Sequence, residues 1–471
     1  MAHTHDVIVI GAGSAGLTAA GGCAMWGLKV ALVERGPMGG ECLNTGCVPS
    51  KALLAAALAA QAVRGAERFG VHASEPRIDW AGVKAHVRAA IGAIARHDSR
   101  ERFEEMGVEV IAGEARFAGR RALDVAGRRL SAPRIVIAAG STSRVPALPG
   151  LGEVPFLTSE TLWDLPERPR HLVILGGGGV GTEMAQALRR LGAEVTLASR
   201  GHLLPHEDED AGRVVADRLR AEGVRLIEHV EAKVVERTDA GIAMTLTSGE
   251  RVEGSHLLIA TGRVVDLHAL YPEAAGVAWD EKGVTVDARR RTANRAVFAI
   301  GGCRVGPRFT HVAGHEGSIA ALNIALGWPA RAEKRVVPRA TYTDPELAQV
   351  GLTETAAREC HVRVRVEITP FADDDRAVCE GDPAGFVKAV WAGRRLVGAT
   401  IVGRGAGDLL LPWTLLLKGK ASPFALADTI VAYPTRSERS KQAAFQHLTP
   451  LLFSTLPRRW AALLAWVRRR S

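Results

Sequence analysis

The sequence lacks a long hydrophobic run, and this absence argues against a membrane-spanning protein. The nearest candidate, residues 409–417, stops at Lys418 and falls well short of the ~18 apolar residues that a membrane span needs. A signal peptide is not expected either, because residues 6–10 already have the pattern of a buried strand. These features predict a cytoplasmic protein, in a compartment where structural disulfides are rare.

A basic stripe interleaved with aromatic residues is also lacking, although the net charge is +9. Arginine is scattered along the whole chain, so no nucleic-acid partner is expected. The one concentration is the tail, where two tryptophans and two leucines lie between arginine clusters within residues 458–470. Two interpretations of this tail stay open. It is either a helix packed on its own domain with solvated arginines, or an interfacial helix that makes peripheral membrane contact.

Cysteine is scarce, with six residues, and only two of them are close in sequence. Cys42 and Cys47 lie in the segment Gly-Gly-Glu-Cys-Leu-Asn-Thr-Gly-Cys-Val-Pro-Ser-Lys of residues 39–51. In the cytoplasm such a pair is expected to be catalytic or metal-binding rather than structural. The other cysteines are isolated in sequence and are predicted to be packing residues: Cys23, Cys303, Cys360 and Cys379.

A nucleotide-binding pattern occurs twice in the 471 residues, a length that suits two to four domains. Residues 7–10 have a strand pattern that leads into Gly-Ala-Gly-Ser-Ala-Gly (11–16) and a helix of small residues. Residues 172–175 lead in the same way into Gly-Gly-Gly-Gly-Val-Gly (176–181). In each copy the backbone N–H groups of the turn and the helix N-terminus can hold a pyrophosphate. The two copies predict an α/β protein with two Rossmann-like dinucleotide-binding domains.

The residue at the end of the second strand separates the two sites. Glu34 lies 23 residues after Gly11, and a carboxylate there accepts both ribose hydroxyls of FAD or NAD. The same offset from Gly176 falls on Ser199, with Arg200 next, and a guanidinium pairs well with a 2′-phosphate. The second site is therefore predicted to take NADPH, with NADH as an alternative.

Together with further motifs, these units resemble the class I flavoprotein disulfide reductases, the pyridine nucleotide-disulfide oxidoreductase family. The family includes dihydrolipoamide dehydrogenase, glutathione reductase and mercuric reductase. The Thr-Asp-Pro segment and Cys-Val-Pro-Ser-Lys are most similar to the mercuric reductase branch. The segments that carry the resemblance are residues 39–51, 135–141, 259–263, 299–302, 310–313, 343–346, 350–354 and 433–438.

The resemblance implies a discontinuous FAD domain and a homodimer that acts on a small-molecule acceptor. The second nucleotide domain is followed by an α+β dimerisation domain and then by the tail. The implied boundaries are 1–150 with 270–336 for FAD, 151–269 for NAD(P), 337–450 for the interface domain and 451–471 for the tail.

The resemblance also implies an electron path from NADPH through FAD to a Cys42–Cys47 disulfide. Cys47 is then the sulfur next to the flavin, and Cys42 is the thiol that meets the substrate. Lys51 is implied to reach the flavin N5, with Glu183 as its acidic partner. The residues agree in part, because a thiol at a helix N-terminus near a lysine has a lowered pKa, and Pro49 suits the first turn of a helix.

Two sets of cofactor contacts follow from the resemblance, and neither includes a metal ligand. The FAD set is Gly11, Gly13, Ser14, Ala15, Gly16, Glu34, Arg35, Gly40, Glu41, Cys42, Lys51, Ala115, Ala139, Gly140, Ser141, Gly301, Gly302 and Thr310. The NAD(P) set is Gly176, Gly178, Val180, Gly181, Glu183, Ser199, Arg200, Gly262 and Arg263.

Three departures from the family pattern bear on function. Gly302 stands where the family usually has an aspartate that binds a ribityl hydroxyl, and losing that hydrogen bond costs about 1.5–3 kcal/mol. Tyr433 replaces the histidine base while Glu438 remains, and a phenol with a pKa near ~10 is a poor base. A tyrosine at this position is a similarity to mercuric reductase. The alternative is that Tyr433 is an aromatic residue of the interface. No cysteine follows Cys379, whereas mercuric reductases end in a cysteine pair.

These observations predict an FAD- and NAD(P)H-dependent oxidoreductase that reduces a disulfide or another small electrophile through Cys42 and Cys47. The alternative is a mercuric reductase-like activity, with the two sulfurs as soft metal ligands. Dihydrolipoamide dehydrogenase activity, or a degenerate non-catalytic flavoprotein, is the second alternative.

Overall fold

A computed structural model describes residues 3–470, which divide into two compact units. The first unit contains residues 3–201 and 223–333, and the second contains residues 202–222 and 334–470.

The first unit is built around a five-stranded parallel sheet. Its strands are short apolar runs whose side chains are buried on both faces, as is typical of a parallel sheet covered by helices. The glycine turn of residues 11–16 follows the central strand. In spatial order the strands are Val297–Ala299, Arg134–Ile137, Val7–Ile10, Val30–Glu34 and Val108–Ala112.

A second parallel sheet of four strands lies in the same unit and carries the other glycine turn. In spatial order its strands are Arg225–Ile227, Glu194–Ala198, His171–Leu175 and His256–Ile259. Two antiparallel three-stranded sheets accompany the parallel ones. They are Ala115–Gly119 with Ala122–Val125 and Arg128–Ser131, and Ala232–Thr238 with Gly241–Leu246 and Arg251–Gly254. Two short ribbons pair Thr142–Ser143 with Arg263–Val264, and Trp279–Asp280 with Gly283–Val284.

The α-helices of the first unit cover these sheets. They are Ser14–Met25, Gly40–Asn44, Cys47–Arg64, Trp80–Ala95, Arg100–Glu105, Gly179–Arg190 and Thr310–Ala325.

The second unit contains a five-stranded antiparallel sheet whose core includes the buried indoles of Trp391 and Trp413. In spatial order the strands are Arg339–Thr341, Glu346–Gly351, Arg395–Gly403, Phe386–Ala392 and Val364–Pro370. The helices are Glu209–Ala221, Glu354–Cys360, Asp375–Cys379, Ala406–Leu409, Leu411–Leu417, Pro423–Asp428, Ser437–Leu452 and Thr455–Arg468.

The predicted fold class is confirmed: two parallel α/β nucleotide-binding arrangements and a C-terminal α+β domain are present. The chain divides differently from the predicted domains in one respect. Residues 202–222, assigned from sequence to the NAD(P) domain, group with the C-terminal unit. The individual domain boundaries stay predictions.

One helical stretch among residues 3–470, Gly40–Arg64, is long and apolar enough to cross a membrane by length and composition. Core helices of globular proteins pass the same test, and this stretch packs against the Trp80–Ala95 and Gly179–Arg190 helices of its own unit. It also carries Cys42 and Cys47, so its apolar character is accounted for within the unit.

The prediction that the four isolated cysteines are packing residues is correct for two of them. Cys23 and Cys303 are buried packing residues, as predicted. The prediction was wrong for Cys360 and Cys379, which are exposed. Each lies at the last residue of a short helix, where the chain returns to solvent.

Candidate active site

The first glycine turn is a close-packed cradle at the end of the Val7–Ile10 strand. Gly11 has a φ of +101°, and a Cβ there would lie 2.4 Å from the carbonyl oxygen of Ala138. A Cβ on Gly16 would lie 1.8 Å from the carbonyl oxygen of Gly11. Only glycine fits at either position, so the backbone of the turn is open to a ligand and leads directly into the Ser14–Met25 helix.

A cavity of about 770 Å³ opens beside this cradle. Glu34 lies in it, and its carboxylate accepts hydrogen bonds from the backbone N–H groups of Ala12 (2.5 Å) and Gly36 (2.8 Å). Ten members of the FAD set line the cavity: Gly11, Gly13, Glu34, Arg35, Gly40, Glu41, Ala115, Ala139, Gly140 and Ser141. An elongated glycine-lined cavity with a carboxylate at the strand end fits the adenosine and pyrophosphate of FAD.

Several lining residues were missed by the sequence reasoning. Asp266, Leu267 and His268 line the cavity from a loop in the segment assigned to the other nucleotide. Glu160 lines it too, and accepts a hydrogen bond from the backbone N–H of Ser143 (3.0 Å). No motif marks these residues, since they reach the cavity only through the tertiary fold.

Arg263 connects the cavity wall to the redox loop. Its guanidinium donates to the hydroxyl (2.9 Å) and carbonyl (2.5 Å) oxygens of Ser141, and pairs with Glu41 at 2.5 Å. Burial raises the pKa of Glu41 to about 7, although the charge of Arg263 opposes the shift. The partners of Arg263 thus line the first cavity, and its predicted contact with NAD(P) stays a prediction.

Gly302 lies against the same wall. A Cβ at this position would lie 3.2 Å from the hydroxyl oxygen of Ser141, which Arg263 holds. An aspartate here would therefore require Ser141 to move by a few tenths of an ångström. Neighbouring Gly301 has a φ of +69°, and its backbone N–H donates to the buried carboxylate of Glu316 (2.9 Å).

The redox cysteines lie at consecutive helices. Cys42 is within the Gly40–Asn44 helix, and Cys47 is the first residue of the Cys47–Arg64 helix, with Pro49 in its first turn. Both are thiols in this structure, and they hydrogen-bond to each other. The hydroxyl of Thr310 lies 3.2 Å from the Cys47 sulfur.

These contacts shift the pKa values of the two thiols in opposite directions. The hydrogen bond from Cys42 lowers the pKa of Cys47 despite burial, and Thr310 and the charge of Lys51 lower it further. The pKa of Cys42 is raised by its hydrogen bond to Cys47 and by burial. The pair therefore holds one proton on Cys42 and a thiolate on Cys47, as the sequence predicted for Cys47.

Lys51 and Glu183 form the predicted pair, with 2.8 Å between the ammonium nitrogen and Oε2. Lys51 lies one turn after Cys47, and Glu183 lies one turn into the Gly179–Arg190 helix that follows the second glycine turn. The ion pair joins the cysteine helix to the second nucleotide fold. Glu183 is largely buried, so a cationic partner is needed to compensate its charge.

We expect Thr310→Ala to raise the pKa of Cys47 by about one unit, because a hydrogen bond to a charged group is worth about 1.5 kcal/mol. The measurement is the pH dependence of iodoacetamide alkylation of the reduced, FAD-loaded protein, with Cys47 identified by peptide mapping. Thr310→Ser keeps the hydroxyl and should leave the profile in place. Identical profiles for alanine and wild type would contradict the assigned contact.

The second glycine turn repeats the first. Gly176 has a φ of +124°, and a Cβ there would lie 2.3 Å from the carbonyl oxygen of Ala260. A Cβ on Gly181 would lie 2.0 Å from the carbonyl oxygen of Gly176. Gly178 precedes the helix and has no neighbour that a Cβ would meet within 4 Å, and Val180 is exposed in the first helical turn. The turn thus has the geometry of a pyrophosphate site.

The residues predicted to bind the 2′-phosphate, Ser199 and Arg200, also lie at this end of the second sheet. Ser199 is buried, and its backbone N–H donates to the carbonyl oxygen of Ile227 (2.9 Å). The side chain of Arg200 is 86 % exposed, with Glu231 at 3.9 Å. Gly262 has a φ of +109° and lies beyond the strand His256–Ile259. The Arg200 guanidinium is therefore an exposed cation at the rim of the site and is not part of the core.

Tyr433 and Glu438 belong to the C-terminal unit. The Tyr433 hydroxyl donates to Asp375 Oδ2 at 2.8 Å, and the side chain is exposed. This hydrogen bond and the charge of Asp375 raise the pKa of Tyr433. Glu438 is half-buried in the first turn of the Ser437–Leu452 helix. The higher pKa leaves even less phenolate at neutral pH than the residue type indicates, so Tyr433 is poorly available as a base.

Comparison with protein families supports the same assignment for nearly all of the chain. The family model "pyridine nucleotide-disulphide oxidoreductase" matches residues 5–317. The model of the dimerisation domain of the same family matches residues 337–444.

Individual relatives agree with the family models. A mercuric reductase from Streptomyces lividans is 36% identical over 457 residues, which cover 94% of this chain and 96% of the relative. A dihydrolipoyl dehydrogenase from Thermus scotoductus is 36% identical over 464 residues, covering 94% and 97%. Among solved structures, the HOCl-induced flavoprotein disulfide reductase RclA from Escherichia coli matches with a TM-score of 0.83 at 28% identity, covering 92% and 98%.

The dimerisation domain indicates that the protein forms a homodimer. Dinucleotide binding and thiol–disulfide exchange require groups that this chain has. They are the two glycine turns, the thiol pair with its single thiolate, and the Lys51–Glu183 ion pair. The chain therefore belongs to the pyridine nucleotide-disulphide oxidoreductases, FAD- and NAD(P)H-dependent enzymes that act on sulfur groups.

Proposed function

We propose that the enzyme reduces a small disulfide, or another small electrophile, at Cys42. The observation that carries this proposal is the setting of the thiol pair: the Cys47 sulfur lies 3.2 Å from the Thr310 hydroxyl oxygen, at a helix start one turn before Lys51. The hydrogen bond from Cys42, together with these contacts, lowers the pKa of Cys47, and the proton stays on Cys42. Such a pair has one sulfur set up to exchange electrons inside the protein and another to meet a substrate.

The cavity beside the first glycine turn would hold FAD, which would pass two electrons from NAD(P)H to the Cys42–Cys47 disulfide. The chain's own residues then carry out the exchange. The Cys42 sulfur attacks one sulfur of the acceptor disulfide, and its proton passes by way of water to the other acceptor sulfur, which leaves as a thiol. Cys47 attacks Cys42 in the resulting mixed disulfide, which releases the second acceptor thiol and restores the Cys42–Cys47 bond. One disulfide is reduced and one is formed, so electrons balance.

The weak base at Tyr433 narrows the acceptor class. The side chain at position 433 does not titrate near neutral pH, so it does not take the Cys42 proton and return it to the leaving sulfur. Acceptors with low-pKa leaving groups are therefore favoured. Aromatic disulfides and similar activated electrophiles meet this condition, whereas lipoamide and glutathione disulfide do not. We propose that turnover of the latter two is slow.

The coenzyme is proposed to be NADPH, bound with its 2′-phosphate at Arg200. Replacing Arg200 by glutamine is expected to weaken NADPH binding about tenfold, because one charge-assisted contact is lost. Binding of NADH should not change. An anaerobic titration of the oxidised enzyme with each coenzyme measures both, and an acceptor screen with an aromatic disulfide, glutathione disulfide and Hg(II) follows on the same sample.

The exposed Arg237→Gln variant is the matched control for that titration. Equal losses of NADPH and NADH binding in Arg200→Gln would contradict the phosphate assignment. Rapid turnover of glutathione disulfide, with none of the aromatic disulfide, would overturn the proposed acceptor class.

Metal-ion reduction is a second candidate, favoured by the matching mercuric reductases and by the two sulfurs of Cys42 and Cys47 as soft ligands. Within residues 3–470 no group of three or more His, Cys, Asp or Glu side chains could hold a metal ion. In this candidate function Hg(II) is therefore a substrate, held by the thiols of Cys42 and Cys47. Hg(II)-dependent NADPH oxidation in excess thiol, lost in Cys42→Ala, is the outcome that supports this candidate.

We further propose that the C-terminal tail binds an anionic membrane surface. No residue of the Thr455–Arg468 helix is buried. Leu456, Trp460, Leu463 and Val467 are spaced as one helical stripe, and all are exposed. The segment 455–470 has five arginines and no acidic residue, and each basic residue near an anionic surface contributes about 1 kcal/mol.

Deleting residues 457–471 is expected to abolish co-sedimentation with vesicles of phosphatidylserine and phosphatidylcholine. Vesicles of phosphatidylcholine alone are the control and should bind little of the intact protein. Equal co-sedimentation of the intact and shortened proteins would overturn the tail proposal without affecting the redox proposal.

A further inference from the structure

A second cavity of about 360 Å³ lies in the first unit, apart from the large cavity beside the first glycine turn. Six aliphatic side chains and two indoles line it, and it shares no residue with the larger cavity. Its walls come from the Cys47–Arg64, Trp80–Ala95 and Gly179–Arg190 helices and from the segment around Leu162. Its volume and apolar lining are those of a site for a small ligand.

One buried polar atom points to what the ligand carries. Trp80 lines this apolar cavity, and its indole N–H is shielded from solvent and has no hydrogen-bond acceptor among residues 3–470. A buried N–H without an acceptor has lost its hydrogen bonds to water, so such groups are normally satisfied within the folded protein. An oxygen atom of a bound ligand would satisfy it.

The charges at the cavity favour an anion. Lys84 and Arg88 line it one turn apart on the Trp80–Ala95 helix, against the single carboxylate of Asp164. Lys84 also donates to the carbonyl oxygen of Leu165 at 2.6 Å, which holds its ammonium group near the cavity. The net charge of the lining is therefore +1, carried in part by the exposed Arg88.

The cavity is mechanically connected to the redox centre. Trp163 lines the cavity, and its indole N–H is shared between the carbonyl oxygens of Thr45 and Ser159, each at 2.8 Å. Thr45 lies between Cys42 and Cys47. Leu53 lies two residues after Lys51 on the same helix, and Leu188 lies on the helix of Glu183. A ligand here would pack against the Cys47–Arg64 and Gly179–Arg190 helices, which carry Cys47, Lys51 and Glu183.

We infer that this cavity binds a small aromatic carboxylate, and that its occupancy is communicated to Cys47 through Trp163 and Thr45. The rings lie among the aliphatic side chains, an oxygen accepts from Trp80, and the negative charge faces Arg88. The site is independent of which acceptor Cys42 reduces.

The binding test uses the FAD-loaded enzyme and calorimetric titration with 2-naphthoate, with neutral 2-naphthol as its matched probe. Arg88→Gln is expected to weaken 2-naphthoate about fivefold, as for one partly exposed ion pair, and to leave 2-naphthol unchanged. Arg96→Gln, at the residue that follows the end of this helix and outside the cavity, should change neither. Val87→Trp fills the cavity and should abolish both, with an unchanged flavin spectrum and melting curve as evidence of folding.

The coupling test measures iodoacetamide alkylation of Cys47 with and without 2-naphthoate. Binding should change the rate at least twofold in the wild type. Trp163→Phe keeps a ring but removes the N–H to Thr45, so it should retain binding and lose the rate change. No binding of either probe, or equal binding to wild type and Val87→Trp, overturns the site; binding without a rate change in the wild type overturns the coupling.

Discussion

Replacing Cys42 or Cys47 by serine is expected to lower NADPH-driven disulfide reduction by about a thousandfold or more. A covalent nucleophile has no substitute in such a mechanism, and removing one member of a catalytic unit costs nearly as much as removing all of it. Serine preserves the size of the side chain but cannot form the disulfide. Both variants should still accept electrons from NADPH, because the nucleotide sites are untouched.

The two variants should differ in their spectra. In Cys42→Ser the remaining sulfur is Cys47, which Thr310 and Lys51 still favour as a thiolate. A thiolate against the oxidised flavin gives a long-wavelength charge-transfer band, so this variant should show the band without any reductant. Cys47→Ser should show no band at any pH.

Cys360→Ser is the matched control, because this thiol is exposed and lies in the other unit. It should retain full turnover and the wild-type spectrum. A charge-transfer band in Cys47→Ser but not in Cys42→Ser would reverse the roles of the two sulfurs. Full turnover in either active-site variant would remove the cysteine pair from the mechanism.

Replacing Lys388 by methionine is expected to destabilise the C-terminal unit by about 3–5 kcal/mol, the usual cost of breaking a buried ion pair from one side. Lys388 is 3 % exposed, and its ammonium group lies 2.8 Å from Glu354, 3.0 Å from Asp210 and 3.2 Å from Asp208. Methionine has a similar volume, so the loss would come from the uncompensated carboxylates, chiefly the buried Asp208. These contacts also join residues 202–222 to the sheet within the unit.

Differential scanning calorimetry of the FAD-loaded protein measures the effect as a lower melting temperature of the C-terminal transition. Lys420→Met removes an exposed lysine from the same unit and should shift the transition little. Adding Asp208→Asn to Lys388→Met should restore part of the loss. An unchanged transition in Lys388→Met would contradict the assigned role of the cluster.

The pH dependence of this cluster follows from the directions of its pKa shifts. Burial raises the pKa of Glu354, but hydrogen bonds from Lys388 and Arg358 outweigh it and leave the pKa lowered. Burial lowers the pKa of Lys388, but the carboxylates outweigh it and leave the pKa raised. The stabilisation is therefore complete between the ordinary values of 4.5 and 10.5. It is lost as pH falls through the folded pKa of Glu354 or rises through that of Lys388.

Much of the cofactor cradle was predictable because its residues are adjacent in sequence. The turns at Gly11 and Gly176 have the positive φ and close backbone approaches that their spacing predicted. Cys47 begins a helix, as Pro49 indicated. The resemblance supplied the Lys51–Glu183 pair, which the structure places at 2.8 Å. No residue pattern by itself would have paired two side chains 132 positions apart.

Other features depended on where distant segments meet. Thr310 was expected to bind the flavin, yet its contact with the Cys47 sulfur could not be foreseen. Arg263 was assigned to the second nucleotide, but its guanidinium lies on Ser141 and Glu41 at the first cavity. Cys360 was expected to pack and is exposed, since isolated spacing says nothing about burial.

By itself, the sequence determined the local chemistry of this protein: two glycine turns, a thiol pair five residues apart, and the residue types at the strand ends. Backbone sterics and helix termini act over a few residues, so they can be read from the chain directly. Only the tertiary structure decided that the Thr310 hydroxyl contacts the Cys47 sulfur, which carboxylates surround Lys388, and that an apolar cavity lies behind the redox loop. Electrostatic and packing energies depend on distances between residues far apart in sequence, and folding alone sets those distances.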